Sequence, residues 1–192
     1  MSDLDSSRSA LRAILLEKSV KRGDFTLASG AKSDLYVDCR ATTLDAAGAN
    51  HLGKVMLPLV RQAEQELGVK LQGIGGLTMG ADPVALAICM ASFQADPSNA
   101  IDAFCVRKEP KKHGLKKLVE GNFKEGDTVC VVDDVITTGG STLKAIDAVE
   151  AEGGKVACVL VLIDREEGGR AAIEARGIKV YPAFTRTSLF QE

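Results

Sequence analysis

Short apolar runs alternate with amphipathic stretches along this chain, and the clearest run spans residues 129–132. Its β-branched valines predict a strand that is buried on both faces. Apolar residues then return at helical spacing between 143 and 149. Similar apolar runs near 70–74, 101–106 and 156–163 predict further strands. Because these strands alternate with helices, we predict an α/β fold with a mostly parallel central sheet and helices on both faces.

The longest helical pattern lies between residues 45 and 67, where apolar side chains recur on one face. Pro58 falls inside this stretch and predicts a kink or a break, because proline lacks the backbone N–H that a helix needs. A second apolar helix is predicted at 83–93 and a short one at 170–176. A last strand is predicted at 179–181.

The N-terminal part has the alternating pattern of a β-hairpin around a Ser-Gly turn. The alternating apolar residues are Phe25, Leu27, Leu35 and Val37. We expect residues 1–45 to form a small N-terminal hood over an α/β core at 46–192, within a single domain at 1–192. An ordinary exposed hairpin is the alternative.

Composition narrows the class of protein. The 192 residues suffice for a domain with a sizeable core, and 45% of them are hydrophobic and 26% charged, as in globular proteins. No stretch approaches about 18 uninterrupted apolar residues, and the acidic start lacks the apolar segment of a signal peptide, so we expect no membrane partner and no secretion. A net charge of −2 argues against a nucleic-acid partner. Five cysteines without a Cys-x-x-Cys pair are typical of a reducing compartment, so we expect a cytoplasmic protein.

Residues that could bind a ligand follow the strand at 129–132. Two carboxylates come first, and a loop of hydroxyl side chains and glycines comes after them. The carboxylates are Asp133 and Asp134, the hydroxyls belong to Thr137, Thr138, Ser141 and Thr142, and the glycines are Gly139 and Gly140. Glycines let backbone N–H groups turn inward, and the start of a helix supplies positive potential, so this loop is predicted to hold a phosphate. The carboxylates suit a hydrogen-bond donor beside it, such as ribose hydroxyls or a hydrated Mg²⁺ ion.

The spacing of this loop differs from Gly-x-x-x-x-Gly-Lys-Ser/Thr and from Gly-x-Gly-x-x-Gly, so neither common nucleotide-binding loop is predicted. A sugar that carries a terminal phosphate satisfies both the loop and the acid pair. The plain alternative is an acid pair that ends a strand before a glycine-rich turn.

Three further features fall at predicted strand ends. Gly75-Gly76 is either an anion-binding turn or a simple close-packed turn. Residues 107–117 carry six Lys and Arg residues and one glutamate, which suits a multiply charged anion, although a solvated charge run is the alternative. Arg165 suits a carboxylate ligand, or else pairs with a nearby glutamate on the surface. We expect these features to converge with the acid pair on one side of the sheet.

Residues 128–150 resemble, nearly residue for residue, the phosphoribosyl-diphosphate motif of the type I phosphoribosyltransferases. The chain resembles the orotate branch of that family over nearly its full length. Four stretches carry the resemblance: Phe25-Thr-Leu-Ala-Ser-Gly with Lys32-Ser33, Arg107-Lys-Glu-Pro-Lys-Lys-His-Gly114, Asp133-Asp-Val-Ile-Thr-Thr-Gly-Gly-Ser141 and Asp164-Arg165-Glu166. Two positions depart from the family pattern, because Ala28 replaces a frequent lysine and Thr78-Met79 replaces a frequent Tyr-Lys pair.

The resemblance implies the type I phosphoribosyltransferase fold and the transfer of a phosphoribosyl group from phosphoribosyl diphosphate to N1 of orotate. The residues expected to bind phosphoribosyl diphosphate are Arg107, Lys108, Lys111, His113, Asp133, Asp134, Val135, Ile136, Thr137, Thr138, Gly139, Gly140 and Ser141. Those expected to be catalytic are Lys111, His113, Asp133 and Asp134. Those expected to contact orotate are Thr137 and Arg165, to which we add Lys32 and Tyr36 beside the hairpin turn.

The resemblance also implies a Mg²⁺ cofactor that is held mainly through the substrate, with Asp133 and Asp134 as candidate ligands. It implies a homodimer in which loop 108–118 acts across the interface. Two other functions stay open at this point. One is a phosphoribosyltransferase for a purine base, and the other is a non-catalytic regulator that senses phosphoribosyl diphosphate.

Overall fold

The computed structural model describes residues 2–26, 32–109 and 117–191, without the side chains of residues 22, 26 and 32–34. Its strands are β1 (Val20–Thr26), β2 (Lys32–Val37), β3 (Gly73–Leu77), β4 (Asp102–Val106), β5 (Val119–Gly121), β6 (Thr128–Ile136), β7 (Lys155–Asp164) and β8 (Lys179–Thr185). Its α-helices are α1 (Asp3–Ile14), α2 (Arg40–Thr43), α3 (Ala46–Leu67), α4 (Ala81–Ala95), α5 (Gly140–Ala151), α6 (Gly169–Glu174) and α7 (Arg186–Phe190).

The main sheet has the strand order β5-β4-β3-β6-β7-β8. Strands β4, β3, β6, β7 and β8 run parallel to their neighbours, and β5 pairs with β4 in the antiparallel direction. Strands β1 and β2 form a separate antiparallel hairpin, as the alternation of apolar residues predicted. The predicted mostly parallel α/β sheet is therefore confirmed.

Alternate residues of β6 face opposite layers of helices. Cys130 and Val132 belong to an apolar cluster with Met56 of α3 and Ile88 of α4. Val129 and Val131 belong to a second cluster that contains Ile146 of α5. The strand is buried on both faces, which explains why its sequence is a continuous apolar run rather than an alternating one.

The structure corrects the predicted position of β3. This strand starts at Gly73 instead of residue 70, so Gly75 and Gly76 lie inside it and do not form the turn to α4. A Cβ atom on Gly75 would lie 2.1 Å from the carbonyl oxygen of Phe104, and one on Gly76 would lie 2.1 Å from that of Val132. The glycines therefore serve close packing between β4 and β6, and the turn falls at residues 78–80.

The break that was one of the two alternatives at Pro58 is absent, and the end of β6 differs from the prediction. Helix α3 continues through Pro58 without a break. Pro58 and Lys54 are both exposed, so the Lys54 carbonyl, which has no N–H partner at position 58, is open to water. Strand β6 continues to Ile136, so the acid pair lies within the strand near its carboxyl end instead of after it.

The order of the strands positions a ligand site. From β3 the chain moves outward to β4 on one side, and then returns to β6 on the other side of β3. This reversal leaves a crevice between the carboxyl ends of β3 and β6, which is where open α/β sheets bind their ligands.

Candidate active site

A cavity of about 360 Å³ lies at this crevice. Its walls come from residues 36–40 at the end of the hairpin, 77–80 at the end of β3 and 133–135 in β6, together with Lys108 and Ser141. The acid pair, the turn after β3 and the N-terminal hairpin thus meet at one place. Of the features that were predicted to converge with the acid pair, Lys108 lines this cavity, whereas Gly75-Gly76 and Arg165 do not.

The carboxylate of Asp133 in β6 accepts hydrogen bonds from side chains of α5. The residue is 5% exposed, and its Oδ2 accepts hydrogen bonds from Ser141 Oγ at 2.9 Å and from Thr142 Oγ1 at 2.8 Å. Its Oδ1 accepts a bond from the N–H of Asp134 at 3.1 Å. Burial raises the pKa of Asp133, and the two hydroxyl donors oppose that rise. The hydrogen bonds therefore fix both the carboxylate and the first turn of α5.

For phosphoribosyl diphosphate, the ligand that the sequence resemblance implies, we expect Thr142→Val to raise the KM about 10-fold, because valine keeps the shape of threonine but cannot donate to Asp133. Thr142 is fully buried, so water cannot replace the lost donor. Thr142→Ser keeps the hydroxyl and should stay within about twofold of the parent. Steady-state kinetics with phosphoribosyl diphosphate varied will measure both effects. A loss in Thr142→Ser together with none in Thr142→Val would mean that the methyl group, not the hydrogen bond, matters.

The carboxylate of Asp134 lines the cavity and is less buried than that of Asp133. Asp134 Oδ1 accepts a hydrogen bond from the N–H of Val135 at 2.9 Å. A Cβ atom on Gly80 would lie 2.5 Å from the same oxygen, so the glycine leaves room for the carboxylate. Burial, and then the charge of Asp133, raise the pKa of Asp134 to about 7. Such a carboxylate gains from a hydroxyl donor or a cation placed in the cavity.

The predicted phosphate loop joins β6 to α5 and is held by the segment after β7. Gly139 has a φ angle of 82°, a left-handed conformation that glycine adopts without strain. The N–H of Gly169 donates to the carbonyl of Thr137 at 2.8 Å, and a Cβ on Gly169 would lie 2.5 Å from that oxygen. The N–H of Arg165 donates to the carbonyl of Ile136 at 3.0 Å.

Helix α5 begins at Gly140, so the N–H groups of its first turn point toward this loop and favour an anion. Ser141 is the residue of the predicted phosphate loop that also lines the cavity. Val135 lines it too, whereas Ile136 is buried in the apolar cluster around α5.

The predicted orotate contacts do not all reach the cavity. Tyr36 lines it and is exposed. Arg165 is 4% exposed, its Nη2 lies 2.6 Å from Glu167 Oε1, and it is not among the residues that line the cavity. The ion pair with a nearby glutamate, which was the alternative, is therefore present, although the arginine is buried. The Lys32 side chain lies outside the described part of the chain.

Two of the predicted diphosphate-binding cations follow β4. Lys108 lines the cavity and shares two further cavities, of about 670 and 650 Å³, with Arg107. Arg107 Nε donates to the carbonyl of Glu109 at 3.2 Å. These cations suit a negatively charged group of a ligand that extends from the acid pair. The predicted catalytic residues Lys111 and His113 lie outside the described residues.

Sequence reasoning missed two charged residues of the cavity wall, Asp38 and Arg40. Arg40 Nε and Nη2 donate to Asp38 Oδ1 and Oδ2, each at 2.8 Å. The Asp-x-Arg spacing after the hairpin was a visible signal. It carried no weight alone, because most such neighbouring charges form solvated surface pairs.

Across residues 2–26, 32–109 and 117–191, no group of three or more His, Cys, Asp or Glu side chains could hold a metal ion. In the same part of the chain, every helix is too short or too polar to cross a bilayer.

The phosphoribosyl transferase domain family matches residues 108–178. An orotate phosphoribosyltransferase of Rhodopirellula baltica is 43% identical over 170 residues, 88% of this chain and 87% of the relative. One from Aquifex aeolicus is 42% identical over 185 residues, 95% of this chain and 97% of the relative. The crystal structure of Mycobacterium tuberculosis orotate phosphoribosyltransferase in complex with phosphoribosyl diphosphate has a TM-score of 0.79 and 37% identity, and the match covers 96% of this chain and 99% of that one. The chain therefore belongs to the orotate phosphoribosyltransferase family.

Proposed function

We propose that the cavity between the hairpin, β3 and β6 is where this chain transfers a phosphoribosyl group from phosphoribosyl diphosphate to N1 of orotate. The products are orotidine 5′-monophosphate and diphosphate, in pyrimidine nucleotide synthesis. The observation that carries the proposed location is the carboxylate of Asp134, which lines the cavity beside a loop suited to a phosphate. Family membership supports the reaction itself.

The two halves of the motif would hold the two ends of the ribose phosphate. The loop from Thr137 to Ser141 would bind the 5′-phosphate through backbone N–H groups and hydroxyls. Asp134 would accept hydrogen bonds from the ribose hydroxyls, since its carboxylate lines the cavity. Asp133 would hold Asp134 and the loop in place through its own hydrogen bonds.

Charge separation in the transition state explains the arrangement of charged groups. As the bond from C1 to the diphosphate breaks, the ribose ring becomes positive and the leaving group gains negative charge. Asp134 would stabilise the ring, while Arg107 and Lys108 would stabilise the leaving group. By the family resemblance, Lys111 and His113 would act on the same diphosphate. N1 of orotate would attack C1 as the bond to diphosphate breaks, and its proton would pass to solvent, so no protein nucleophile is needed.

The acid pair also fits a Mg²⁺ ion, which we propose as the cofactor. Burial, and then the charge of Asp133, raise the pKa of Asp134, and a divalent cation beside it would offset both effects. Two carboxylates do not make a full ligand set, so substrate oxygens and water would complete the coordination, as Mg²⁺ usually prefers. When bound, Mg²⁺ neutralises charge on the diphosphate.

We further propose a homodimer, and the surface of α4 supports it. Leu86, Met90 and Phe93 are 56%, 61% and 60% exposed, and their spacing places them on one face of the helix. Three large apolar side chains that are exposed on one face of a helix are typical of an interface. Met79, which is also exposed, lines the cavity just before α4, so this helix connects the apolar face to the site.

A cytoplasmic location is consistent with the cysteines. All five carry free thiols, and Cys39, Cys130 and Cys158 are buried as small apolar residues. Free thiols of this kind are typical of a reducing compartment.

The reaction is tested by offering the purified chain one base at a time with phosphoribosyl diphosphate and Mg²⁺ and measuring diphosphate release. We expect release with orotate and none with uracil, adenine, guanine or hypoxanthine above the rate without a base. Release with a purine base would support the purine alternative. Tight binding of phosphoribosyl diphosphate without release for any base would support a regulator.

Subunit complementation tests the proposed action of loop 108–118 across the interface. Lys111→Ala and Asp134→Asn should each reduce kcat about 10²–10³-fold, as expected for the loss of one group that stabilises transition-state charge. If the loop acts in the neighbouring site, mixed dimers contain one intact site, and activity should return to about a quarter of the parent's after subunit exchange. No recovery, with dimers verified by light scattering, would place the loop in its own subunit's site.

A further inference from the structure

We infer that Glu152 is a positioning residue for Arg107 and Lys108, the cations proposed to bind the diphosphate, although it lies outside the cavity at the far end of α5. The inference rests on the proposed function and deepens it. A cation stabilises a leaving group well only when the surrounding structure fixes its place. The backbone contacts on either side of loop 108–118 identify the side chain that does so.

The two sides of this loop are joined through one residue. Arg107 and Lys108 directly follow β4, Lys117 and Leu118 directly precede β5, and we call these four residues the loop stem. The N–H of Arg107 donates to the carbonyl of Leu118 at 2.9 Å, which continues the antiparallel pairing of β4 with β5. Because β5 has three residues, few backbone hydrogen bonds hold it, and any further support on Leu118 also supports Arg107.

The carboxylate of Glu152 supplies this support. Its Oε1 accepts hydrogen bonds from the N–H of Leu118 at 2.6 Å and from the N–H of Val119 at 3.0 Å. Hydrogen bonds to an ionised acceptor are stronger than those between neutral groups. Val119 is buried and Leu118 is half-buried, so water would be a poor substitute for the carboxylate. Leu118 thus donates to Glu152 and accepts from Arg107.

Helix α5 connects this support to the acid pair. Glu152 is the C-cap residue of the helix, and its N–H donates to the carbonyl of Ala148 at 3.2 Å. At the other end of α5, Ser141 and Thr142 donate to Asp133. One helix therefore sets the distance between the part of the site proposed for the ribose phosphate and the cations proposed for the diphosphate.

The binding of two related ligands to Glu152→Ala tests the inference. Phosphoribosyl diphosphate and ribose 5-phosphate share the sugar and its phosphate, and the first also carries a diphosphate. With Mg²⁺ present, we expect the Kd for phosphoribosyl diphosphate to rise about 10-fold, because the loop stem loses its support. The Kd for ribose 5-phosphate should stay within about twofold of the parent's. Isothermal titration calorimetry measures both constants.

The conservative variant and a matched control separate the hydrogen bonds from a general loss of structure. Glu152→Gln keeps an acceptor oxygen and should stay within about threefold of the parent for both ligands. Glu150 lies near the same end of α5, but its Oε2 accepts from Arg176 Nη2 at 2.6 Å. Glu150→Ala should therefore change neither Kd by more than about twofold. If thermal melts indicate that Glu152→Ala does not fold, Glu152→Asp, whose carboxylate is one methylene shorter, takes its place with the same expected direction.

Three outcomes would overturn the inference. One is an unchanged Kd for phosphoribosyl diphosphate in Glu152→Ala. Another is an equal rise for both ligands, which would mean that Glu152 only supports α5, whose first turn lies at the phosphate loop. The third is a loss in Glu152→Gln as large as that in Glu152→Ala, which would mean that the hydrogen bonds do not cause the effect. Failure of the parent chain to bind phosphoribosyl diphosphate would refute the proposed function instead.

Discussion

Asp134→Asn should produce a protein that is more heat-stable than the parent and at least about 100-fold less active. Asparagine keeps the shape of aspartate without its charge, so it removes both the proposed partner of the ribose and a buried repulsion. In the parent, burial and Asp133 raise the pKa of Asp134 from 3.8 to about 7. Between those values the folded state binds more protons than the unfolded state. The parent's stability should therefore fall as pH rises from about 4 to about 7, and remain lower above that.

Thermal melts of both proteins in metal-free buffer will test the stability half of this prediction. A shift of about three pKa units corresponds to at most about 4 kcal/mol, and because the carboxylate faces a water-accessible cavity we expect about 1–2 kcal/mol. That is about 2–8 °C in Tm at pH 8, and the difference should vanish near pH 4. Asp102→Asn, an exposed carboxylate outside the cavity, is the control and should change neither property. Identical melting temperatures at pH 8 would refute a buried repulsion.

Gly76→Ala should destabilise the fold by at least about 3 kcal/mol, because the new methyl group has no room. Its Cβ would lie 2.1 Å from the Val132 carbonyl oxygen and 2.8 Å from the Ala81 Cβ. Val132 directly precedes the acid pair in β6, so the strand cannot move aside without displacing Asp133. We therefore expect activity to fall together with stability.

Gly73→Ala is the matched control in the same strand. A Cβ atom there would meet side-chain carbons of Phe104 and Val129 at 3.3 Å, and side chains can shift by a few tenths of an ångström. We expect a loss below about 1.5 kcal/mol for this variant. Urea unfolding measures both free energies. Similar losses of unfolding free energy in the two variants would mean that the whole of β3 shifts to make room for either methyl group. The contact with Val132 would then not determine the loss.

Much of the fold was predictable because its strands are buried on both faces. The valine-rich run of β6 and the similar run of β7 produce unbroken apolar segments, and these identify a parallel sheet without long-range information. The prediction misplaced β3 because Gly75 and Gly76 carry no side chains, so the alternation of apolar and polar residues that identifies a strand is missing there. Strand β5 has three residues, too few for a pattern, and forms through its pairing with β4.

The candidate site was predictable to the extent that its residues are close in sequence. Asp133, Asp134 and the loop after them form one motif, so local chemistry alone indicated a phosphate beside a hydroxyl donor. The pairing of Arg165 with a nearby glutamate was one of the two predicted alternatives, but the burial of Arg165 could not be inferred from a strand end. Arg40 joins the cavity only when the hairpin segment packs against β3 and β6, which no short-range pattern encodes.

The close contact between Gly169 and the phosphate loop has a consequence for ligand affinity. Because the carbonyls of Ile136 and Thr137 accept hydrogen bonds from the segment after β7, the protein itself holds the start of the loop in place. Binding of the sugar phosphate then loses little conformational entropy at this end of the molecule. More of the binding free energy then remains available to hold C1 and the attacking nitrogen in a reactive position.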